Sequence, residues 1–507
     1  MLATGDIDGF VDIIDSHGVE IGTADPDRLQ AMLEALPEHV LRAHPRLAVA
    51  RHAISTFFDQ AKPRAGFDLA EQLRDMAATG TPVGDLIMVG IGQIFSMRAT
   101  GQLAEGLPIV ERDRARAEAN RADWLEVPGE TRSIVLLQWG LTRMLAQDVE
   151  GAVQDFQECY WAGRRSRVPY FARNGAINAA LMLVLVDSLD DAEEWLAKGR
   201  ELDRAPEAIR TIVEEWDPLV EALLALARLR IDDARRALAQ FRPAPDTELS
   251  WSIEHFVRAR AGLLSGEYFG ALDELARAHH PRGGTASPGS FDEALLTTAE
   301  VELSLAIGRV PRAAALLDRV GGVPLLTVAR ARLALLAGDP AEAHTLCVAG
   351  LHHATTFGRI DLAATGAVAL LHLGRREEAA EEFARAIELV RVRGAVAAFA
   401  LLPRADVEAL MELVPAGAEL LGPVLETTPA PAVDRVAVVE LSEREKLVLK
   451  ELARTGSTQQ IAARLFVSVN TIKSQVRSIY RKLGVNSRDG ALAAAHRWGF
   501  DLGRPER

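Results

Sequence analysis

Three long cations recur at steps of four near the C-terminus of this 507-residue chain: Lys473, Arg477 and Arg481. On a helix that spacing lines one face, with Asn470 and Ser474 beside the row. Ammonium and guanidinium groups arrayed in this way neutralise phosphates and donate to base edges. A single helix is narrow enough to enter the major groove of double-stranded DNA. Ile472, Val476, Ile479 and Leu483 recur at steps of four, three and four and predict the opposite, buried face. Any one of these cations alone reads more readily as solvated surface; the whole constellation points to a polyanion.

Other residues with chemical potential are less organised. Cys159 and Cys347 match no metal-ligand spacing and read as reduced thiols of a cytoplasmic protein. His344, Cys347, His352 and His353 lie close in sequence, as do His279 and His280, but no HExxH-like pair with a placed acid occurs, so no metal site is expected. Carboxylate pairs such as Asp190-Asp191, Glu193-Glu194 and Glu377-Glu378 fall on polar helix faces. No Gly-x-Ser-x-Gly nucleophile motif is present. A phosphate-cradling loop needs Gly-Lys followed by Ser or Thr, which the chain lacks; Gly283-Gly284 and Gly321-Gly322 read as inter-helix loops. The expectation is therefore a non-enzyme with no catalytic residues and no cofactor.

The elements that must position the cations are legible around them. Ser442 and Glu445 have the spacing of a capping box, which starts a helix near residue 443. Val448, Leu449 and Leu452 give it an apolar stripe, and Gly456 ends it. Ser457 caps a second helix over 458–466, and Ser468 or Asn470 caps a third to about residue 483. A fourth covers about 487–498. Two short helices around a tight turn form a helix-turn-helix.

These 60 residues closely resemble the LuxR/GerE-type DNA-binding domain. The resemblance rests on Leu441-Ser442-x-Arg444-Glu445, Val448-Leu449, Ile461-Ala462, Ser468-x-x-Thr471-Ile472-Lys473, Lys482-Leu483-Gly484-Val485 and Arg488. It implies base contacts from Lys473, Ser474 and Arg477, and backbone phosphate contacts from Thr471, Arg481 and Lys482. Ser468, Asn470 and Gln475 complete the expected DNA face. It also implies a homodimer on DNA through the last helix, with Ala491, Leu492, Ala495 and Trp498 at the contact, and RNA polymerase as a further partner. Two departures stand out: the expected glycine at Thr455 is displaced to Gly456, and Gln475 replaces a frequent histidine.

Net charge hides a split. The chain carries −14 overall, but residues 441–507 carry +7 and the preceding 440 carry −21. A basic module following an acidic body concentrates polyanion attraction at one end. The rest of the chain predicts an all-α fold: Ala and Leu abound and aromatics make up only 5%. No apolar run reaches the roughly 18 residues a membrane helix needs, and the acidic N-terminus has no basic signal region.

Between about residues 45 and 421 the pattern is helix, short turn, helix. Glycine followed five residues later by alanine recurs at Gly266/Ala271, Gly308/Ala313, Gly338/Ala343 and Gly374/Ala379. The alanine heads a stripe such as Ala379, Phe383 and Ala386; Ala152, Phe156 and Cys159 repeat it without the glycine. Such hairpins bury their faces only by stacking. The pattern resembles degenerate tetratricopeptide repeats, about eight or nine hairpins forming an α-solenoid.

Residues 29–53, with Leu36-Pro37-Glu38 and Pro45-Arg46-Leu47, resemble the start of the helical-repeat sensor of MalT-like regulators, here without the NTPase domain. The organisation expected is thus N-terminal helices over 1–44, a repeat body over 45–421, a Pro-containing linker over 422–440 with Pro423, Pro429 and Pro431, and the DNA-binding domain over 441–507. A body of this kind would sense a small-molecule or protein effector. Tyr170, Arg173, Asn174 and Asn178, on one predicted helix, are candidate effector contacts; the same groups would also serve to satisfy neighbouring helix ends. Trp139, Trp161 and Trp251 read as repeat core. The alternative to a DNA-binding regulator is a scaffold whose basic domain docks on protein.

Overall fold

The computed structural model describes residues 7–44, 47–48, 50–51, 82–99, 103–206, 216–242, 248–278, 289–352, 357–429, 441–455, 457–483, 485 and 487–497. Among them every regular element is a helix, so the fold is all-α, with a helical-repeat body and a C-terminal four-helix domain. The chain divides into two compact units. The first is residues 1–226, 232–257 and 285–293; the second is 227–231, 258–284 and 294–507.

In the first unit the helices Gly129–Leu145, Val149–Gly163, Tyr170–Leu185 and Leu189–Arg200 pack in sequence, each against the next. Ala152, Phe156 and Cys159 are fully buried, as their spacing predicts. Trp139 is core, but Trp161 is 51% exposed and lies under the Arg164 guanidinium, 4.3 Å from its ring centroid, which corrects its reading as core. In the second unit the helices Thr327–Leu336, Pro340–Leu351, Arg359–His372 and Arg376–Arg393 pack in the same consecutive way.

One turn geometry recurs among the described hairpins. Gly266, Gly308, Gly338 and Gly374 all have φ between +75° and +87°, and the alanine five residues on is buried each time. At Gly308 the turn closes with Gly308 N–H donating to Leu305 O and Arg309 N–H donating to Ser304 O. These are Schellman-type bonds, which satisfy the last carbonyls of the first helix and require a left-handed residue. The same turn occurs where the sequence has no glycine: Gln147 (φ +62°) precedes buried Ala152, Asp187 (φ +62°) buried Ala192, and Leu229 (φ +58°) buried Ala234. Glycine marks only part of this register.

The helix Pro415–Glu426 continues through Pro423, so residues 422–426, read from sequence as the start of an extended linker, are helical. Proline removes one intrahelical donor. The carbonyl it frees belongs to Glu419, an exposed residue whose backbone water can reach. Arg404 then fixes the helix end, donating to Leu425 O (2.7 Å) and Thr428 O (3.0 Å). Residues 430–440, including Pro431, lie outside the described residues.

Candidate nucleic-acid interface

The C-terminal domain consists of helices Glu443–Arg454, Thr458–Arg464, Val469–Leu483 and Arg488–Arg497. The first begins at the capping box read from the sequence. Ser442 Oγ accepts from Glu445 N–H, and Glu445 Oε2 accepts from Ser442 N–H. Ser457 Oγ accepts from Gln460 N–H, and Ser468 Oγ accepts from Thr471 N–H, so Ser468 rather than Asn470 caps the third helix. The core joins Val448, Leu449, Leu452, Ile461, Ile472, Ile479 and Leu483, with Val476 partly buried against it.

The third helix is held from below by polar clamps. Glu445 is buried and accepts from Ser478 Oγ at 2.8 Å and from Lys482 Nζ at 2.7 Å. Burial alone would raise the Glu445 carboxyl. The Lys482 ammonium and the hydrogen bonds from Ser442 and Ser478 overcome it and hold the group down to about 2. Glu451 of the first helix ties the second to it through Arg464 (3.1 Å) and also pairs with Arg454 of its own helix (2.8 Å). Arg488 donates to Leu452 O and Ala453 O, docking the last helix on the end of the first.

With its inner face so fixed, the third helix leaves Ser468, Asn470, Thr471, Lys473, Ser474, Arg477 and Arg481 exposed. Among the described residues Lys473, Arg477 and Arg481 have no ion-pair partner. This contrasts with Arg114, Arg143, Arg260 and Arg332 of the body, each paired with a carboxylate. Two expected contacts differ from the rest. Lys482 is turned to Glu445, and the Gln475 Oε1 atom is buried without a hydrogen-bond partner among the described residues. The turn before this helix also held something the sequence did not reveal: Phe466 has φ +54° and is 95% exposed.

The residues expected at a dimer contact are placed otherwise. Ala491 and Ala495 are sealed in the domain's own core, where their small side chains let the last helix approach the first; Leu492 is half-buried, and Trp498 lies outside the described residues. Of the candidate effector residues, Tyr170, Arg173 and Asn178 are buried and Asn174 is half-buried. Arg173 donates to Gly199 O (2.9 Å) and Leu202 O (3.3 Å) and pairs with Asp217. It closes the end of the helix Leu189–Arg200 and does not line an open groove. No group of three or more His, Cys, Asp or Glu among the described residues could hold a metal; His279, His280 and His353 lie outside them. No described helix is long and apolar enough to cross a membrane.

A four-helix domain with a capped, inwardly locked third helix and an unpaired cationic outer row is a helix-turn-helix module. Residues 439–495 match the model of a family described as bacterial regulatory proteins, luxR family. The chain is 34% identical over 59 residues to the spore germination protein GerE of Bacillus subtilis (strain 168), covering 80% of that protein and 12% of this one. The chain belongs to the luxR family of bacterial regulatory proteins. It is also 45% identical over 61 residues to the transcriptional regulatory protein YdfI of the same organism, covering 29% of that protein and 12% of this one. With the nitrate/nitrite response regulator protein NarP of Escherichia coli (strain K12) it shares 37% identity over 98 residues, 46% of that protein and 18% of this one. It thus spans less than half of YdfI and of NarP.

Proposed function

We propose that this protein is a DNA-binding transcriptional regulator. Its helix Val469–Leu483 enters the major groove, and its helical-repeat body senses a small-molecule or protein effector and controls how two C-terminal domains meet on DNA. The observation that carries the reading is the row Lys473, Arg477 and Arg481: exposed, at one-turn spacing, and without a carboxylate partner among the described residues. Leaving three like charges unpaired along one helix is unfavourable in isolation, and a duplex phosphate backbone relieves it. Lys473, Ser474 and Arg477 contact base edges; Ser468, Asn470, Thr471 and Arg481 contact phosphates and sugars. Lys482, already engaged by Glu445, positions the helix. The body resembles the sensor of MalT-like regulators. The protein acts in the cytoplasm, and RNA polymerase is its onward partner.

Fluorescence anisotropy of the full chain on a random-sequence duplex, and on an operator found by genomic footprinting, tests this. Log affinity should fall with log salt by about 0.9 for each phosphate neutralised. Lys473→Ala and Arg477→Ala should each cost roughly 1–3 kcal/mol on the operator and relax preference at one base pair. A flat salt response, or operator affinity unchanged from the parent in both variants, refutes the groove assignment. A ligand shifts the two-domain arrangement only by its differential affinity for the two states.

A further inference from the structure

Phe466 sits in the turn of the helix-turn-helix, in a conformation and a setting that nothing among the described residues rewards. The helix Thr458–Arg464 closes with Leu465 N–H donating to Ile461 O and Val467 N–H donating to Ala462 O, both at 3.0 Å. The residue between them is left-handed, and Phe466 takes φ +54° where glycine is the usual occupant. Its side chain is 95% exposed, whereas the other exposed large apolar residues described range from 37% to 71%. Gln147, Asp187 and Leu229 share the left-handed backbone, but each is buried or half-buried. Backbone strain and a bare aromatic ring are thus two costs at one position, and strain of this kind gathers where a ligand is met.

The surroundings of the ring favour a duplex as its partner. Phe466 precedes Ser468, the cap of the helix Val469–Leu483, by two residues, no more than about 7.6 Å of chain. A helix-turn-helix docks the N-terminal end of its second helix against base edges, so the turn just before that end stands at the groove. From Leu452 to Arg488 the chain has seven cations and no Asp or Glu. Such a stretch attracts a polyanion and repels a second copy of itself. Among the groups that the major groove presents, the thymine C5-methyl is the apolar one. The neighbouring exposed side chains Ser468, Asn470 and Lys473 answer bases and phosphates with hydroxyl, amide and ammonium groups; Phe466 supplies the apolar surface they lack.

We propose that Phe466 is a specificity-determining residue whose ring meets the C5-methyl of a thymine at the edge of the sequence read by Lys473, Ser474 and Arg477. The contact takes ring and methyl out of water together, and neither surface needs a hydrogen bond. The strained turn is kept because it presents the ring outside the domain's own core. The contact rests on the DNA-binding reading above and adds to it a preference for thymine over its unmethylated counterpart at one position.

The experiment measures fluorescence anisotropy of the full-length protein on an operator found by genomic footprinting, with each thymine of one half-site replaced singly by deoxyuridine. That replacement removes a methyl group and nothing else. At one thymine the parent should lose about fourfold in affinity, the worth of one buried methyl-sized group. Phe466→Gly should bind the unmodified operator about tenfold more weakly and show no further loss at that deoxyuridine. Phe466→Leu, which keeps an apolar side chain, should retain part of the methyl sensitivity. Hydrogen exchange across 458–483 separates contact from damage, because glycine suits the left-handed turn and should slow exchange while binding weakens. Parent-like operator affinity in Phe466→Gly overturns the contact. Weakened binding with methyl sensitivity unchanged at every thymine overturns the thymine assignment. Weakened binding with faster exchange assigns the loss to a damaged turn and overturns the proposal as well. A parent that binds no duplex, or binds with a flat salt response, instead fails the DNA-binding reading itself and takes the contact with it.

Discussion

Replacing Glu445 by Gln removes one charge beneath the helix Val469–Leu483 while keeping the side-chain shape. In the parent, Glu445 joins the first and third helices of the domain by accepting from Ser442 N–H, Ser478 Oγ and Lys482 Nζ. Its carboxyl lies near 2 against an ordinary 4.5. At about 1.4 kcal/mol for each tenfold change, that displacement bounds the contribution at roughly 3 kcal/mol. Lys482 remains 35% exposed, and solvent screening reduces the figure to about 1–2 kcal/mol. The sign follows from the depressed folded value. The stabilisation is complete above the unfolded carboxyl's range near 4.5 and is lost as pH falls through it toward 2. Hydrogen exchange of full-length protein, read by mass spectrometry on peptides from 443–454 and 469–483, reports the local opening free energy after correction for intrinsic exchange. At neutral pH, Glu445→Gln should raise the opening fraction about 5–30-fold. By about pH 3.5 the gap between parent and variant should have shrunk by roughly a third to a half. A gap that is constant or widening toward acid would refute the claim that charge, and not shape, holds the helix.

Other outcomes follow from the turns and the buried thiols. Gly338 and Gly374 have positive φ and open space where a Cβ would stand, so alanine there meets only the conformational penalty. Gly338→Ala and Gly374→Ala should each lower stability by about 0.5–1.5 kcal/mol in urea denaturation, and an effect near zero would sink the turn assignment. Phe466→Gly relieves the same penalty in the helix-turn-helix turn and forfeits no burial at 95% exposure; it should slow exchange in the 458–483 region by about 0.5–1 kcal/mol, and a faster rate would contradict this. Cys159 is fully buried and donates to Ser133 O and Phe171 O, while burial beside Glu382 pushes the Cys347 thiol up to about 12. Native protein should therefore leave both unreacted with a disulfide reagent at pH 8, and denatured protein should release two thiols; titration of either in the native state would contradict the packing.

What the sequence makes legible depends on whether a feature is local. The capping box at Ser442 and Glu445, the Ser457 and Ser468 caps, and the alternation of core and cation along 472–483 all involve residues within about one helical turn, where spacing fixes geometry. The glycine turns are legible for the same reason, but only where the chain uses glycine. At Gln147, Asp187 and Leu229 an L-residue takes the left-handed conformation, and nothing local announces it. The buried alanine five residues on gives the register away, and Ala152 did so for one of these turns.

Partners distant in sequence stay hidden for a complementary reason. Lys482 reads as one more cation of the DNA face until Glu445, 37 residues earlier, is seen beside it. Arg173 reads as a ligand contact until the carbonyls of Gly199 and Leu202 arrive from the next helix to take its donors. The small residues Ala491 and Ala495 suit either a dimer seam or a close helix crossing inside one domain, and only the packing decides for the second. In each case a polar or small side chain was assigned outward because its intramolecular partner lay beyond the span that periodicity covers. The cations that remain unpaired after that correction, Lys473, Arg477 and Arg481, are accordingly a narrower set than sequence alone proposed. Among the described residues their solvent-facing row has no carboxylate partner, while Lys482 has one in Glu445. The salt dependence of DNA affinity should follow that division, falling most when members of the row are removed and least when Lys482 is.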